Sequence, residues 1–469
     1  MFEQQEQLSG WGNFPRETCK VAKPLTQSAQ HAAVVNDQSV IARGLGRSYG
    51  DPSLNSEGLV LGQTSMHRML RFDSDTGIME CEAGVSFAEI IDVLLPRGWF
   101  LPTSPGTKFV TVGGAIAADV HGKNHHRVGS FGNFVRDIQL ILASGEVLTC
   151  SPETNASIFW ATVGGMGLTG IIQTATVQLT RVPSAYCKVN YKQTRDLDQT
   201  LEQFIDTDDG YEYSVAWVDC LSGGKSLGRS VLMLGNGAQP EELKRSRQER
   251  PFELPVQRKK TVPPWFPSSL MNRASIRAFN EVFYRAPRPT QAIVDFDKYF
   301  YPLDGLNHWN RMYGSRGFIQ YQAWFPETTS RQGLVELLGK IVASGRGSFL
   351  AVLKSCGAAS PGLLSFLDRG HTLALDFKNT GPDLLILAQK LDRIVLQHGG
   401  RLYLAKDATM NAETFATMYP RLPEFREVQS MIDPNGKFIS SQARRLQIVQ
   451  RPMSKTTTEI SQQHSETVQ

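Results

Sequence analysis

Three histidines and a lysine that could do chemistry lie in one short polar segment, HGKNHH at residues 121–126. His121 and His125 have the i,i+4 spacing that could hold zinc on one face of a helix. Gly122 and Asn124 disfavour a helix there, and no nearby glutamate completes a metalloprotease motif. We therefore expect no metal site, and we interpret the segment as polar residues that face a ligand.

Several glycine-rich segments precede residue 171. RGLGRSYG at 43–50 follows a predicted strand, and its glycines would let backbone N–H groups approach a phosphate, although a structural turn is an equal alternative. VGGAIAA at 112–118 leaves room for a flat ligand or for a closely packed helix. GGMGLTG at 164–170 matches GxGxxG but precedes a strand-like run, so the dinucleotide-binding interpretation fails its structural test.

The elements that must position these residues indicate an α+β fold. Residues 86–95 are predicted to form a helix, with Ser86 and Glu89 as its capping box. The second half of the chain has the order β-α-β-β-α-β of a ferredoxin-like unit, which leaves one sheet face free to cover a ligand. Its strands and helices are predicted at 318–325, 331–344, 348–355, 372–378, 382–398 and 401–405.

Strand alternation gives that free sheet face a polar character. Gln320 and Gln322 point to one side of the first strand, and Thr372, Ala374 and Asp376 share one side of another. A polar, uncovered sheet face beside a second domain predicts a binding wall. No internal repeat is evident in the sequence.

Length and composition restrict the class of protein. The 469 residues predict two or three domains, and 41% apolar with 20% charged residues is ordinary globular usage. A net charge of +4 does not indicate a nucleic-acid binder. The six cysteines lack zinc spacings and indicate reduced thiols, while the chain has neither a signal pattern nor an 18-residue apolar run. We therefore expect a cytoplasmic protein.

The positive charge is concentrated in one segment. Residues 244–260 contain seven basic and two acidic residues, a surplus of +5, so the rest of the chain carries −1. PPWFP at 263–267 follows, with aromatic residues of the kind found at bilayer interfaces. The pattern favours a peripheral contact with the inner face of a membrane, and a solvated loop is the alternative.

Taken in series, the motifs resemble a known family. RGLGRSYGD, LPTSPGTKFVTVGGAIAADVHGKNHH, GSFGN and FWATVGGMGLTGII are similar to the FAD-binding domain of the vanillyl-alcohol-oxidase group. HWNRMYG, GFIQYQ, RLYLAKDA and ETFATMYPR extend the resemblance over roughly residues 8–448 to the flavin-dependent oxidases of decaprenylphosphoryl-β-D-ribose 2′-epimerisation. The resemblance implies a two-domain FAD-linked oxidase, with an α/β FAD-binding domain and a cap domain that carries the ferredoxin-like antiparallel sheet.

The resemblance also implies domain limits and cofactor contacts. We expect an FAD-binding domain at 1–185, a substrate or cap domain at 186–400 with a mobile loop at 237–275, a return to the FAD domain at 401–450, and a disordered tail at 451–469. Arg47 stands where many relatives carry the histidine that tethers FAD, so we expect non-covalent FAD. The implied FAD contacts are Gly44, Gly46, Arg47, Ser48, Tyr49, Pro105, Gly106, Thr107, Gly113, Gly114, His121, Gly122, Asn124, Gly129, Gly132, Asn133, Gly165, Gly167, Gly170, Tyr403 and Lys406.

For catalysis the resemblance implies Lys406 as the residue that assists deprotonation, with His121 as the second candidate. The implied reaction oxidises the C2 hydroxyl of a polyprenyl-phosphate-linked pentose to a 2-keto sugar. Ala374 replaces a cysteine of relatives, so thiol-directed inhibitors would lose their anchor. The implied substrate-binding residues are Lys123, Gln320, Gln322, Lys354 and Ala374.

Other functions remain open at this stage. The chain could oxidise a free sugar, an alditol or an aldonolactone, or a different polyprenyl-phosphate sugar, and a nucleotide-binding regulatory protein is the non-enzyme alternative. Completing an epimerisation would require a separate short-chain reductase that uses NADH or NADPH, because no dinucleotide fold remains in this chain.

Overall fold

The computed structural model describes residues 3–207, 209–256 and 258–450. The predicted tail at 451–469 lies outside these residues. The first part of the chain is built on two main sheets, in the strand orders β1-β2-β4-β3 and β5-β6-β10-β8-β9, with β7 and β11 as a separate pair. Its strands are β1 (Glu3–Ser9), β2 (Arg16–Ala22), β3 (Val40–Arg43), β4 (Leu59–Gly62), β5 (Met69–Phe72), β6 (Ile78–Glu82), β7 (Trp99–Phe100), β8 (Val135–Ile141), β9 (Val147–Cys150), β10 (Ile171–Gln178) and β11 (Thr180–Arg181).

Short helices connect these strands. The predicted capping box begins α2: Ser86 Oγ accepts from the backbone of Glu89, and the Glu89 carboxylate accepts from the backbone N–H of Ser86 at 2.8 Å. His121 precedes the single turn α4, so His121 and His125 do not share a helix. The helices are α1 (Gln27–Asn36), α2 (Phe87–Leu94), α3 (Val112–Ala117), α4 (His125–Val128) and α5 (Ala156–Thr162).

The second part of the chain contributes one antiparallel eight-stranded sheet, in the order β16-β12-β14-β13-β19-β20-β18-β21. Two short strands, β15 and β17, pair in parallel outside it. The strands are β12 (Tyr186–Thr194), β13 (Tyr213–Val218), β14 (Ser230–Gly237), β15 (Lys260–Thr261), β16 (Gln291–Asp295), β17 (Leu306–Asn307), β18 (Phe318–Pro326), β19 (Ala351–Cys356), β20 (Gly370–Lys378) and β21 (Arg401–Leu402).

Helices accompany this sheet and follow it. Gly345, with φ +67°, ends α10 where the sequence predicts. The helices are α6 (Leu197–Thr207), α7 (Arg245–Gln248), α8 (Arg273–Arg285), α9 (Phe296–Phe300), α10 (Ser330–Ser344), α11 (Pro382–Gln397), α12 (Ala412–Met418), α13 (Leu422–Ile432) and α14 (Ser441–Arg445). The observed architecture confirms the predicted two-part α+β fold.

The large sheet is a doubled ferredoxin-like unit. The predicted unit β18-α10-β19-β20-α11-β21 has the strand order β19-β20-β18-β21. The preceding strands β12, β13, β14 and β16 have the corresponding order, and the two units meet where β13 pairs with β19. The strand order is therefore repeated, although no internal repeat is evident in the sequence. The order of strands in a sheet depends on how consecutive strands are connected. Two units can therefore share a strand order without sharing a sequence.

The second helix of the first unit, α8, lies on the ligand side of the sheet. In the first unit α8 lies between β14 and β16, and its Phe283 ring packs against Trp217 of β13 with ring centres 4.5 Å apart. Phe279 contacts both Phe283 and Phe349. Because Trp217 and Phe349 border the cavity described below, α8 covers the ligand side of the sheet.

The C-terminal segment packs against the first domain. A parallel bridge joins Phe438 to Val40, and the Arg445 guanidinium pairs with Asp51 at 2.6 Å and with Asp407 at 2.9 Å. These contacts fix residues 403–407 beside the first domain. None of the helices within the described ranges combines the length and the apolarity needed to cross a bilayer.

Candidate active site

A cavity of about 610 Å³ lies between the glycine-rich segments of the first domain and the free face of the large sheet. The lining residues come from sequence positions as distant as Trp11 and Lys406. The predicted binding wall is thus one side of an internal cavity, and the predicted ligand-facing glycines form the other side.

The segment 44–49 lines the cavity after β3. Gly46 has φ +64°, a conformation that favours glycine. Among the described residues, no protein acceptor takes the backbone N–H groups of residues 44–48. Consecutive backbone donors at a cavity wall suit a diphosphate. The Arg47 guanidinium stacks 3.9 Å from the centre of the Trp11 ring and adds a positive charge at this wall.

A second stretch of the wall is built from small residues. A Cβ atom at Gly106 would meet no atom within 4 Å, so the space beside it is open. Gly113, Gly114 and Ala117 continue this wall along α3. The carboxylate of Asp304 accepts from Thr107 Oγ1 at 2.8 Å and fixes the preceding turn. A flat wall beside unpaired backbone donors fits the isoalloxazine and the diphosphate of FAD.

Most of the predicted FAD contacts lie on this cavity. The residues that line it are Gly44, Gly46, Arg47, Ser48, Tyr49, Pro105, Gly106, Thr107, Gly113, Gly114, His121, Gly122, Gly167, Gly170, Tyr403 and Lys406. The five others are outside the lining and have packing roles. For example, the Asn124 amide donates to the Pro102 carbonyl at 2.8 Å, and the Asn133 amide to the Val128 carbonyl. The remaining three are Gly129, Gly132 and Gly165.

Lys406 follows β21 and projects into the cavity. Its Nζ atom lies 3.9 Å from the centre of the Tyr49 ring. The pKa of Lys406 is lowered to about 7: burial is the largest cause, the Asp376 carboxylate opposes it, and the nearby Lys354 charge acts in the same direction as burial. The side chain is one of those that line the cavity. A lysine with a pKa near neutrality can accept a proton.

His121 lies beside Lys406 in the wall. Burial first, and then the charges of Lys354 and other neighbours, hold the pKa of His121 well below its usual range, so the ring is neutral. Its Nε2 atom lies 3.0 Å from Gln322 Nε2. Because an amide nitrogen only donates, this contact assigns the ring proton to Nδ1. The Tyr403 ring packs 5.1 Å from His121, and its hydroxyl donates to the Ala118 carbonyl.

Two further lysines make the cavity electropositive. Lys123 Nζ contacts the Tyr299 carbonyl and lies 4.3 Å from the centre of the Tyr299 ring. Lys354 Nζ donates to the Gly122 carbonyl at 3.4 Å. Burial lowers the pKa of Lys123 to about 7 and that of Lys354 to about 8. A bound anion would raise both values, so the pair is suited to a phosphate.

The free sheet face carries the predicted Gln320 and Gln322. It also carries Asp376, which the sequence analysis placed on this face without giving it a role. Gln320, Gln322 and Ala374 line the cavity. Asp376 pairs in register with Gln320, is fully buried, and accepts from the Gln320 amide at 2.7 Å. The signal in the sequence that pointed to Asp376 was the strand alternation, which places it on the same face as Ala374.

Sequence reasoning missed the apolar end of the cavity. Nothing in the sequence marks these residues, because apolar alternation is the same for a core and for an apolar ligand site. Part of it comes from β12, β13, β14 and α8, all in the first ferredoxin-like unit. The residues are Tyr191, Val215, Trp217, Met233, Phe279 and Phe283. Within the described ranges, no group of three or more His, Cys, Asp or Glu side chains could hold a metal ion.

Comparison with known proteins agrees with this geometry. The model of the FAD binding domain family matches residues 25–151, and the D-arabinono-1,4-lactone oxidase model matches residues 382–446. The chain is 39% identical over 452 residues to decaprenylphosphoryl-β-D-ribose oxidase of Mycolicibacterium smegmatis, covering 95% of this chain and 98% of that protein.

Two other relatives share less of the chain. An uncharacterised protein of Streptomyces coelicolor is 33% identical over 373 residues, 77% of this chain and all of that protein. The Δ(24)-sterol reductase of Rattus norvegicus is 29% identical over 137 residues, 29% of this chain and 26% of that protein. The chain therefore belongs to the decaprenylphosphoryl-β-D-ribose oxidase family of FAD-dependent oxidoreductases, with FAD as its cofactor.

Proposed function

We propose that the chain oxidises the C2 hydroxyl of a polyprenyl-phosphate-linked pentose, similar to decaprenylphosphoryl-β-D-ribose, to the 2-keto sugar. This is the first half of an epimerisation to the arabinose form. One observation carries the proposal: a single cavity combines the FAD wall, buried lysines and an extended apolar wall. The substrate has three parts that match these surfaces. The sugar would lie at the FAD wall, the phosphodiester at the lysines, and the polyprenyl chain along the apolar wall.

In this function Lys406 takes the hydroxyl proton. When bound, FAD supplies the hydride acceptor for the C2 hydrogen. The Lys406 amine, with its pKa near 7, is half neutral at pH 7 and accepts the proton that the C2 oxygen loses as the carbonyl forms. His121 is the second candidate base. Since its Nε2 already accepts from the Gln322 amide, that contact would have to open first.

The test is anaerobic loss of flavin absorbance upon mixing with substrate. We expect Lys406→Ala to retain FAD and to reduce it at least about 100-fold more slowly, which is the usual contribution of a positioned base. Lys340→Ala on α10, on the covered side of the sheet, is the control. Normal flavin reduction in Lys406→Ala would remove the catalytic role.

The same assay separates the substrate classes. The match of residues 382–446 to the lactone oxidase model is the observation that favours the alternative, a free sugar, alditol or aldonolactone. Under our proposal polyprenyl-phosphoryl ribose bleaches the flavin, while free pentoses and aldonolactones do so weakly, because they leave the lysines and the apolar wall without a ligand. Equal bleaching by a free sugar would support the alternative.

The product of this reaction needs a partner. A 2-keto sugar must be reduced to complete an epimerisation, and we infer a separate short-chain reductase that uses NADH or NADPH. Incubation of the purified protein with substrate should yield the arabinose form only after such a reductase and its cofactor are added. Interconversion by this chain alone would contradict the two-protein arrangement.

We further propose a cytoplasmic location at the inner face of a membrane. The six cysteines are buried and none forms a disulfide, which suits a reducing compartment. The basic segment 244–260 is followed by Trp265, whose side chain is 80% exposed. A polyprenyl substrate resides in the bilayer, so the enzyme must reach its surface.

A further inference from the structure

We propose that Asp376 is a positioning residue of this oxidase, which orients the Gln320 amide toward the substrate and sets the protonation of Lys406 by its charge. The inference rests on the proposed function. Asp376 lies behind the wall: it is fully buried, and Gln320, not Asp376, lines the cavity.

The orientation of Gln320 follows from hydrogen-bond chemistry. Burial raises the pKa of Asp376 to about 7, and the Gln320 amide, the Lys406 charge and the Tyr313 hydroxyl oppose that rise. In its ionised form the carboxylate only accepts, so Asp376 Oδ1 holds the NH₂ end of the Gln320 amide at 2.7 Å. The carbonyl oxygen is then the atom of Gln320 available to a ligand in the cavity. A sugar hydroxyl can donate to it. The second carboxylate oxygen accepts from the Tyr313 hydroxyl at 3.3 Å, which fixes Asp376 itself.

The charge of Asp376 acts on Lys406. Lys406 lies against the Tyr49 ring, and both the lysine and Tyr49 are within electrostatic reach of the Asp376 carboxylate. Among the described residues, the charged groups that act on Lys406 are Asp376, which favours the ammonium form, and Lys354, which opposes it. Tyr313 and Gln320 are the groups that hydrogen-bond to Asp376. Neutralising the carboxylate would therefore make Lys406 release its proton at lower pH.

The chain offers a matched control. Asp392 on α11 is also buried, with 4% exposure, and accepts from the Tyr321 hydroxyl at 2.9 Å. Tyr321 neighbours Gln320 on β18 but points to the opposite, helix-covered face of the sheet. Asp392→Asn thus removes a buried, tyrosine-bonded carboxylate next to the same strand without changing the cavity.

The experiment measures the pH profile of flavin reduction and the substrate Kd in holoenzyme variants. For Asp376→Asn we expect the acid limb of the profile to move to lower pH by up to about one unit. We also expect the substrate Kd to rise roughly fivefold or more. The new amide in Asp376→Asn would carry both a donor and an acceptor, so it could pair with either end of the Gln320 amide and would no longer hold the carbonyl oxygen toward the cavity. Asp392→Asn should change neither quantity. In a Gln320→Ala background, Asp376→Asn should leave Kd unchanged while still moving the limb.

The outcomes separate this inference from the proposed function. If the wild type does not oxidise the polyprenyl-phosphoryl pentose, the proposed function fails. If it does, and Asp376→Asn matches Asp392→Asn in both quantities, the inference fails alone. Should Asp376→Asn not fold, Tyr313→Phe removes one hydrogen bond from the carboxylate and should move the limb in the same direction by less. An unmoved limb in that variant would overturn the inference.

Discussion

Ala374 lies at the centre of the polar sheet face, paired in register with Gln322 on one side and Val352 on the other. All three residues line the cavity. A side chain at this position is therefore presented to any ligand between the FAD wall and the sheet. The six native cysteines, in contrast, are all buried. Residue 374 is alanine, so it presents no thiol to this cavity.

We predict that Ala374→Cys makes the folded protein reactive at one site. Native wild-type protein should resist a small thiol-directed alkylating reagent, and Ala374→Cys should take up one label per chain, located by mass spectrometry. Nearby lysines favour the thiolate, which is the reactive form. Labelling of denatured wild type at all six cysteines is the control. A variant that reacts no faster than wild type would show that the cavity does not expose residue 374.

At the scale of elements, the segment between β14 and α8 is held at β15 and exposes apolar side chains before and after it. Lys260 and Thr261 form β15 against β17, and Lys259 Nζ lies 4.8 Å from the centre of the Phe109 ring. Val256 and Trp265, by contrast, are 97% and 80% exposed. An anchored segment that exposes apolar side chains among cations has the chemistry of an interfacial anchor.

We predict that Val256→Ser with Trp265→Ala weakens binding to vesicles that contain anionic lipid, measured by co-sedimentation. The remaining binding should fall further with added salt, because each cation contributes about 1 kcal/mol near such a surface. Ile205→Ala removes an equally exposed (73%) apolar side chain from α6 and should have no effect. Unchanged vesicle binding in the double variant would favour a solvated loop.

At the scale of the whole molecule, the cavity joins both parts of the chain. Its wall includes segments near residues 11, 44–49, 104–123, 166–172, 215–217, 320–322 and 403–406. A ligand that fills this space contacts both domains and the C-terminal return, so its binding is coupled to the folding of the whole chain.

We predict that FAD is released by acid precipitation and that its removal lowers the melting temperature. The resemblance places Arg47 where many relatives carry the tethering histidine, and an arginine cannot form a histidyl–flavin bond, so the colour should remain in the supernatant. Adding FAD back at about 1,000 times its Kd should restore about 4 kcal/mol of stability, checked by urea unfolding. Yellow colour in the precipitated pellet would contradict non-covalent binding.

The sequence by itself determined the features whose signals are local. The glycine turn at 43–50, the capping box of α2, and the alternation on β18 and β20 depend on neighbouring residues, and the structure reproduces them. The match of these segments to one family was sufficient to identify FAD as the cofactor.

Only the tertiary structure decided how distant residues meet. It placed Lys406 on the Tyr49 ring, Asp376 against Gln320, and the apolar residues of β13 and α8 at one cavity. It also doubled the ferredoxin-like unit without a sequence repeat. The physical reason is that burial and pairing create these properties: a lysine acquires a pKa near 7, and an amide a fixed orientation, from partners that sequence spacing does not encode.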